Sequence, residues 1–394
     1  MMKLMIQTAG AMSTEIRVMR LAPVAENAYF FTRDVAHHKA AVMNKKHETD
    51  PVQISRTGRA MSIVLNRPRA INSLTYKMIL SLTAALEDAR ADDSVRMVVL
   101  SGRGEKGFCA GGDIKELYAA IGAGRPDEAL EFFRAEYALD LMIHEYDKPV
   151  VVIADGITMG GGLGLAAGAD IVIATERTLM AMPETRIGFF PDVGATGWLH
   201  EKCPPGYPEF LGLTGYELHG AQCVRLGMAH LLVDSKRVPG IVETIAEADR
   251  AGDEGRASAA RHIARALEEY RTPEIAADPE MDDWVRAYFH EKGSLLEMIA
   301  GLRTCAAQRG LCEAVFRRLA ERSPTALALT RTLLAHNAGR PLARVFASEL
   351  EAARFIIGHP DYREGVRARI IDRDDAPAWR PAALEDARIE GLEL

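Results

Sequence analysis

No stretch of this chain approaches the roughly 20 consecutive apolar residues that cross a bilayer. Its longest apolar candidates, residues 95–100 and 149–154, have the length of buried strands, so no membrane partner is expected. Clustered basic residues are also lacking. The net charge is -7, which argues against a nucleic-acid surface. Cysteine is scarce, odd in number and never spaced C-x-x-C: Cys109, Cys203, Cys223, Cys305 and Cys312. A disulfide framework is not expected in a chain of 394 residues, which suggests a reducing cytoplasm. The first residues lack the apolar stretch of a secretory signal, and Glu15, Glu26 and Asp34 count against a mitochondrial transit peptide. Three signatures are missing as well. There is no G-x-x-x-x-G-K-[ST] for a P-loop, no G-x-S-x-G elbow for a serine nucleophile, and no H-E-x-x-H for a metal.

What is present is enough apolar material, 48% of residues, for a packed core. Residues 1–50 show no sustained periodicity and read as an extension. His37, His38 and His47 within it fit a solvated tail better than a metal site. From Val52 the pattern changes. Ile63-Val64-Leu65 reads as a strand stopped by Asn66-Arg67-Pro68. Residues 75–91 place Met78, Leu82, Ala85, Leu86 and Ala89 on one helical face, with Thr75 as N-cap. Residues 95–100, 150–154 and 171–174 read as further strands. Residues 126–147 read as a helix with Leu130, Phe133, Tyr137, Leu141 and His144 on one stripe, and 160–168 as a glycine-rich helix start. This alternation predicts an α/β fold. Beyond a polar linker at 251–255 strand signals almost vanish, and 257–271, 293–320 and 324–357 read as helices. The expected organisation is an extension (1–50), a core (51–250) and a helical region (251–394).

Two glycine segments stand out: Phe108-Cys109-Ala110-Gly111-Gly112-Asp113 and Thr158-Met159-Gly160-Gly161-Gly162-Leu163-Gly164. Each follows a predicted strand and leads towards a helix. Glycine lets the backbone approach a ligand closely, and the N–H groups at a helix start have no internal partner. Two such turns facing each other would offer two donors to one oxygen, an oxyanion hole. Tight helix-on-sheet packing is the alternative use of the same glycines. Gly102-Arg103-Gly104-Glu105-Lys106-Gly107 is a literal G-x-G-x-x-G, but no helix begins within it, so nicotinamide binding is not inferred. Glu184 and Asp192 lie in an apolar, proline-bounded stretch with Ile187, Phe189 and Phe190. Poor solvation there raises a carboxyl pKa and suits proton transfer. From local sequence alone, each also fits a helix cap. Cys109 has no evident base and reads as a small buried side chain.

Leu65-Asn66-Arg67-Pro68 followed by Ile71-Asn72-Ser73-Leu74, the FCAGGD segment and the MGGG segment at 159–162 resemble the crotonase (enoyl-CoA hydratase/isomerase) superfamily. Within it, three stretches and the C-terminal tail are similar to the 3-hydroxyisobutyryl-CoA hydrolases. The stretches are Phe132-Phe133-Arg134-Ala135-Glu136-Tyr137, Gly156-Ile157-Thr158-Met159-Gly160-Gly161-Gly162 and the acid-bearing stretch from Ala181 to Gly194, and the tail includes Ser323-Pro324-Thr325 and Ile371-Asp372-Arg373-Asp374. The resemblance spans roughly residues 52–384.

It implies a spiral of ββα turns with a helical C-terminal region. It also implies a thioester oxygen held by the N–H groups of Ala110 and Gly161, Glu184 and Asp192 as catalytic carboxylates, and Glu136 as a substrate contact. The implied reaction is hydrolysis of a short β-hydroxyacyl-CoA in valine breakdown. CoA would be part of the substrate, with no cofactor or metal, and a trimer-based homo-oligomer is implied by the superfamily. Hydratases carry a glutamate three residues after the middle glycine of the GGG run, where this chain has Gly164. That departure puts hydration in doubt and favours hydrolysis. The alternatives are an enoyl-CoA hydratase/isomerase and a non-catalytic acyl-CoA-binding protein on the same fold.

Overall fold

The computed structural model describes residues 50–248, 255–272, 274–306 and 308–394. The histidines at 37, 38 and 47, and residues 251–254 of the expected linker, lie outside them. Among the described residues there are ten strands: β1 (Val52–Thr57), β2 (Ala60–Leu65), β3 (Met97–Gly102), β4 (Gly107–Cys109), β5 (Val150–Ala154), β6 (Ile157–Met159), β7 (Ile171–Thr175), β8 (Leu179–Ala181), β9 (Leu218–His219) and β10 (Leu231–Val233). One sheet has the order β1-β2-β3-β5-β7-β10 and is parallel except for β1 against β2. The other has the order β4-β6-β8-β9. The chain passes from β3 to β4, from β5 to β6 and from β7 to β8, each time stepping between sheets. Helices follow β4, β6 and β8. This is the expected ββα spiral.

The central strands are near-continuous apolar runs because both faces are covered. Every residue of β5 and β7 is buried. Val98, Leu100, Val150, Val152 and Val172 join one apolar cluster, while Val99, Val151, Ile153 and Ile173 join a second on the opposite face.

The helices that matter for the site are α1 (Tyr76–Ala91), α2 (Ile114–Gly122), α3 (Pro126–His144), α4 (Gly161–Ala167) and α5 (Ala195–Lys202). Thr75 caps α1 as expected, its hydroxyl oxygen accepting the Met78 N–H at 3.2 Å. The buried face of α3 differs from the apolar stripe read from the sequence. Leu130, Phe133 and Tyr137 are buried on it, but so are Glu136 and Asp140, while Leu141 is only partly covered.

Among the described residues no strand follows Val233, so the C-terminal region is helical. The predicted 293–320 helix is two, Leu295–Thr304 and Arg309–Ala320. The predicted 324–357 helix breaks into Pro324–Asn337 and Leu342–Ile357, where Gly339 adopts a φ of 71° and Pro341 follows. The helix Pro279–Phe289, capped by Asp278, was not expected. Nor was the disulfide between Cys305 and Cys312, which joins the end of one helix to the first turn of the next with Cα atoms 6.4 Å apart. It corrects the reading of the cysteines as all unbridged. The other three are free and buried.

Candidate active site

The first glycine segment is held by the loop after β2. Asn72 is wholly buried with a φ of 55°. Its amide donates to the carbonyls of Arg103 and Gly107 at 3.1 and 3.0 Å, and its oxygen accepts the Arg67 N–H at 2.8 Å. That ties residues 71–74 alongside 110–113. Leu74 N–H donates to Gly111 O at 2.8 Å, and Asp113 N–H donates to Leu74 O at 2.7 Å. This is the parallel bridge of Leu74 with Gly112, in which the bracketed residue turns its own N–H away from the partner strand.

Ala110 does not have that freedom. Its N–H donates to Ile71 O at 3.0 Å. The expectation that Ala110 supplies an oxyanion donor is therefore corrected: its hydrogen is engaged within the protein. Among the described residues the N–H groups of Gly111 and Gly112 have no backbone acceptor, and that of Gly112, two positions on, is the one the Leu74 bridge turns outward.

The second segment meets the first directly. A Cβ on Gly111 would stand 3.2 Å from Gly161 N and 3.1 Å from Met159 O. Gly160 has a φ of 50° and turns the chain from β6 into α4, leaving Gly161 N–H as the first of the helix, without an internal partner. Behind Gly161 lies Glu136, whose Oε1 would overlap any Cβ placed there. A Cβ on Gly160 would stand 2.9 Å from Glu184 Oε1. The structure thus brings Gly161, Glu136 and Glu184 to the glycine segments.

Glu184 opens a short 3-10 turn, Glu184–Ile187, just after β8. Asp192 follows on the next loop, and its Oδ2 accepts the Tyr137 hydroxyl hydrogen at 2.8 Å. Both acids are buried, 9% and 5% exposed. Burial, then Asp192, push the Glu184 carboxyl well above the usual range. Burial pushes Asp192 up to about 7, although the Tyr137 bond lowers it. Glu136 is raised by burial and by Asp192. No lysine or arginine among the described residues pairs with any of the three. Cys109 is pushed up to about 12 by burial, so its thiol is inert near neutrality. Among the described residues no group of three or more His, Cys, Asp or Glu side chains is arranged for a metal ion.

Between the start of α1, α2 and α3 lies a cavity of about 240 Å³, lined by Tyr76, Glu116, Leu117 and Phe132 among others. The Phe132 ring edge, which lines this cavity, would lie 3.1 Å from a Cβ on Gly112.

Comparison with known proteins gives this geometry a family. A family model described as enoyl-CoA hydratase/isomerase matches residues 60–393. The chain belongs to the enoyl-CoA hydratase/isomerase family. Within that family it is 35% identical over 339 residues to the mitochondrial 3-hydroxyisobutyryl-CoA hydrolase of Danio rerio, covering 84% of this chain and 86% of that protein. It is 34% identical over 357 residues to the same-named protein of Rattus norvegicus, covering 89% of each. A solved structure named carnitinyl-CoA dehydratase, from Mycobacterium thermoresistibile, superposes with a TM-score of 0.78. It is 32% identical, covering 87% of this chain and 95% of that one. No helix among the described residues is long and apolar enough to cross a membrane.

The family's crotonase-type fold also frames what the sequence reading missed. Tyr137 was read as core, yet it binds Asp192. Asp140 was not singled out. It is wholly buried, and a Cβ on Gly164 would stand 2.5 Å from its Oδ2. Glu349 reaches in from Leu342–Ile357 and accepts the N–H groups of Gly194 and Thr196 at 2.6 and 3.1 Å, fixing the start of α5 just after Asp192. The signal for Asp140 was available as an acid one helical turn beyond Glu136. For Glu349 no local signal exists.

Proposed function

We propose that this chain hydrolyses a short β-hydroxyacyl-CoA thioester, 3-hydroxyisobutyryl-CoA foremost, to the free hydroxy acid and CoA, as in valine breakdown. The observation that carries the reading is the buried Glu184/Asp192 pair beside the facing glycine segments. The neighbouring position that would carry a hydratase's second acid is Gly164. The curated relatives named for this hydrolase, alike over most of both chains, support it.

In this reading the thioester oxygen accepts hydrogen bonds from Gly161 N–H and from Gly112 N–H, which takes the role first given to Ala110. Such donors matter most as negative charge builds on the oxygen. Glu184 either takes a proton from the attacking water or bonds to the carbonyl carbon, giving a mixed anhydride that water then cleaves to the free acid and the restored Glu184 carboxylate. The C–S bond breaks, and Asp192, poised near neutrality, passes a proton to the leaving sulfur. Glu136 faces the β-hydroxyl. CoA is substrate, and no metal or prosthetic group takes part. A cytoplasmic location and a trimer-based assembly complete the proposal. The relatives carry "mitochondrial" in their names, so fractionation of cells and light scattering of the pure protein test these two points.

The decisive experiment measures free CoA released from 3-hydroxyisobutyryl-CoA. Release is expected from the native chain, and Glu184→Gln is expected to reduce it by at least about a hundredfold. No release, or an active Glu184→Gln, sinks the reading. The solved structure named as a dehydratase favours a second reading, hydration of an enoyl-CoA. Loss of crotonyl-CoA absorbance on incubation would establish that activity in its place.

A further inference from the structure

Three side chains of α3 face three glycines in and just after α4, in step. Glu136 would overlap a Cβ on Gly161, Asp140 Oδ2 lies 2.5 Å from the Cβ position of Gly164, and His144 Cδ2 lies 2.8 Å from that of Gly168. The spacings of four and four on one helix, and three and four on the other, put each set on one helical face. The missing side chains let α3 come close enough to set its carboxyl groups directly against the α4 backbone. Asp140 is therefore placed by the same contact that places Glu136.

Asp140 is fully buried, and neither of its oxygens has a hydrogen-bond partner among the described residues. Glu136 Oε1 also has none. The ionisable groups around Asp140 are Glu136 on its own helix, Asp192 beyond the 3-10 turn, Glu349 from Leu342–Ile357 and the Cys109 thiol. His144, one turn on, is held neutral near pH 7 by burial. None of these supplies positive charge. Four buried carboxyls without a cation cannot all be ionised, because each unpaired charge in a low-dielectric interior is costly. Asp192 has the Tyr137 hydroxyl to stabilise its anion, and Glu349 has two backbone N–H groups. Asp140 has no donor on either oxygen and no solvent, so of the four it is the last to release its proton. A protonated carboxyl is a donor as well as an acceptor. The unpartnered acceptor one turn away on the same face is Glu136.

We propose that Asp140 is a positioning residue: its carboxyl O–H is the donor that fixes the Glu136 side chain against Gly161, and through Glu136 it sets the preference for acyl groups bearing a β-hydroxyl. The specificity half of this rests on the hydrolase reading above. The donor half rests on the packing of α3 against α4. A side chain of the same shape that can donate serves at 140, and one that cannot donate does not.

The test compares the full-length protein with Asp140→Leu and Asp140→Asn, assaying CoA release from 3-hydroxyisobutyryl-CoA and from isobutyryl-CoA. Leucine is expected to lower the ratio of kcat/KM between the two substrates by about tenfold or more, with KM for the hydroxyacyl substrate rising. Asparagine is expected to restore most of that ratio. A leucine variant with an unchanged ratio overturns the proposal, as does an asparagine variant that loses as much as leucine. Infrared difference spectroscopy reads the donor without turnover. Wild type is expected to show a protonated-carboxyl C=O band at pH 7 that Asp140→Asn removes. Its absence from wild type overturns the proposal. A chain that shows the band but hydrolyses neither thioester refutes the hydrolase reading alone and leaves the proton on Asp140 supported.

Discussion

Tyr137 donates its hydroxyl hydrogen to Asp192 Oδ2 at 2.8 Å, and both side chains are buried. The bond stabilises the ionised form of Asp192 and opposes the upward push of burial. Tyr137→Phe removes it without changing the ring. A hydrogen bond to a charged group contributes about 1.5–3 kcal/mol, so the apparent pKa of the acid pair should rise by roughly one unit or more. The pH–rate profile reads this directly. A limb that stays put, or moves down, contradicts the role given to Tyr137.

The reassignment from Ala110 to Gly112 can be tested on the backbone itself. An ester in place of the amide at 112, introduced as glycolic acid, deletes that N–H alone. CoA release should fall by about a hundredfold to a thousandfold, as when one oxyanion donor is lost. An ester at 110 deletes the bond to Ile71 O instead, and should lower thermal stability with a much smaller effect on turnover. The reverse pattern would restore Ala110 as the donor.

Much of this arrangement was legible in the sequence. Glu184, Asp192 and Gly161 stand in short segments whose composition is odd for plain packing, and the structure gathers them with Glu136. Which N–H of FCAGGD points outward was not legible, because that depends on the register of Gly112 against Leu74, 38 positions earlier in the chain. Asp140 escaped because the helical stripe was traced through apolar residues, and an acid at a core position breaks that rule. Glu349 contacts Gly194 across a separation of 155 residues, beyond any local pattern. The Cys305–Cys312 bridge follows from the turn between two helices that the sequence read as one.

Gly164→Ala should destabilise the fold. The added methyl would meet Asp140 Oδ2 at 2.5 Å and Val193 Cβ at 2.7 Å, and overpacking of this kind costs about 1–3 kcal/mol. Combining it with Asp140→Ala relieves one of the two collisions. The double variant should therefore be more stable than the sum of the single losses predicts, which denaturant unfolding of all four proteins measures. Strict additivity would mean that the two positions do not touch.

Stability should fall as pH rises from about 6.5 to 8.5. Burial holds Asp192 at about 7 and Glu349 at about 8, both above their ordinary values. The folded chain therefore keeps protons in this window that the unfolded chain has released. That contribution is complete below the unfolded pKa and is lost as pH passes the folded one. Urea midpoints at the two pH values test the sign, and a higher midpoint at pH 8.5 contradicts it.

The bridged cysteines predict a simple count. Denatured in the absence of reductant, the chain should take up three alkyl groups, matching its three free cysteines. After reduction it should take up five, one for each cysteine in the sequence. Five without reductant would show that the bridge does not form.

The 2.5 Å between Asp140 Oδ2 and the Cβ position of Gly164 also constrains descent. One small volume can receive a carboxylate from α3 or a side chain from α4, but never both. A lineage moving between the two arrangements must change both positions. With glutamate at 164 and aspartate still at 140, the intermediate is crowded; with glycine at 164 and no acid at 140, the volume is empty. The two arrangements are thereby separated by a shape barrier.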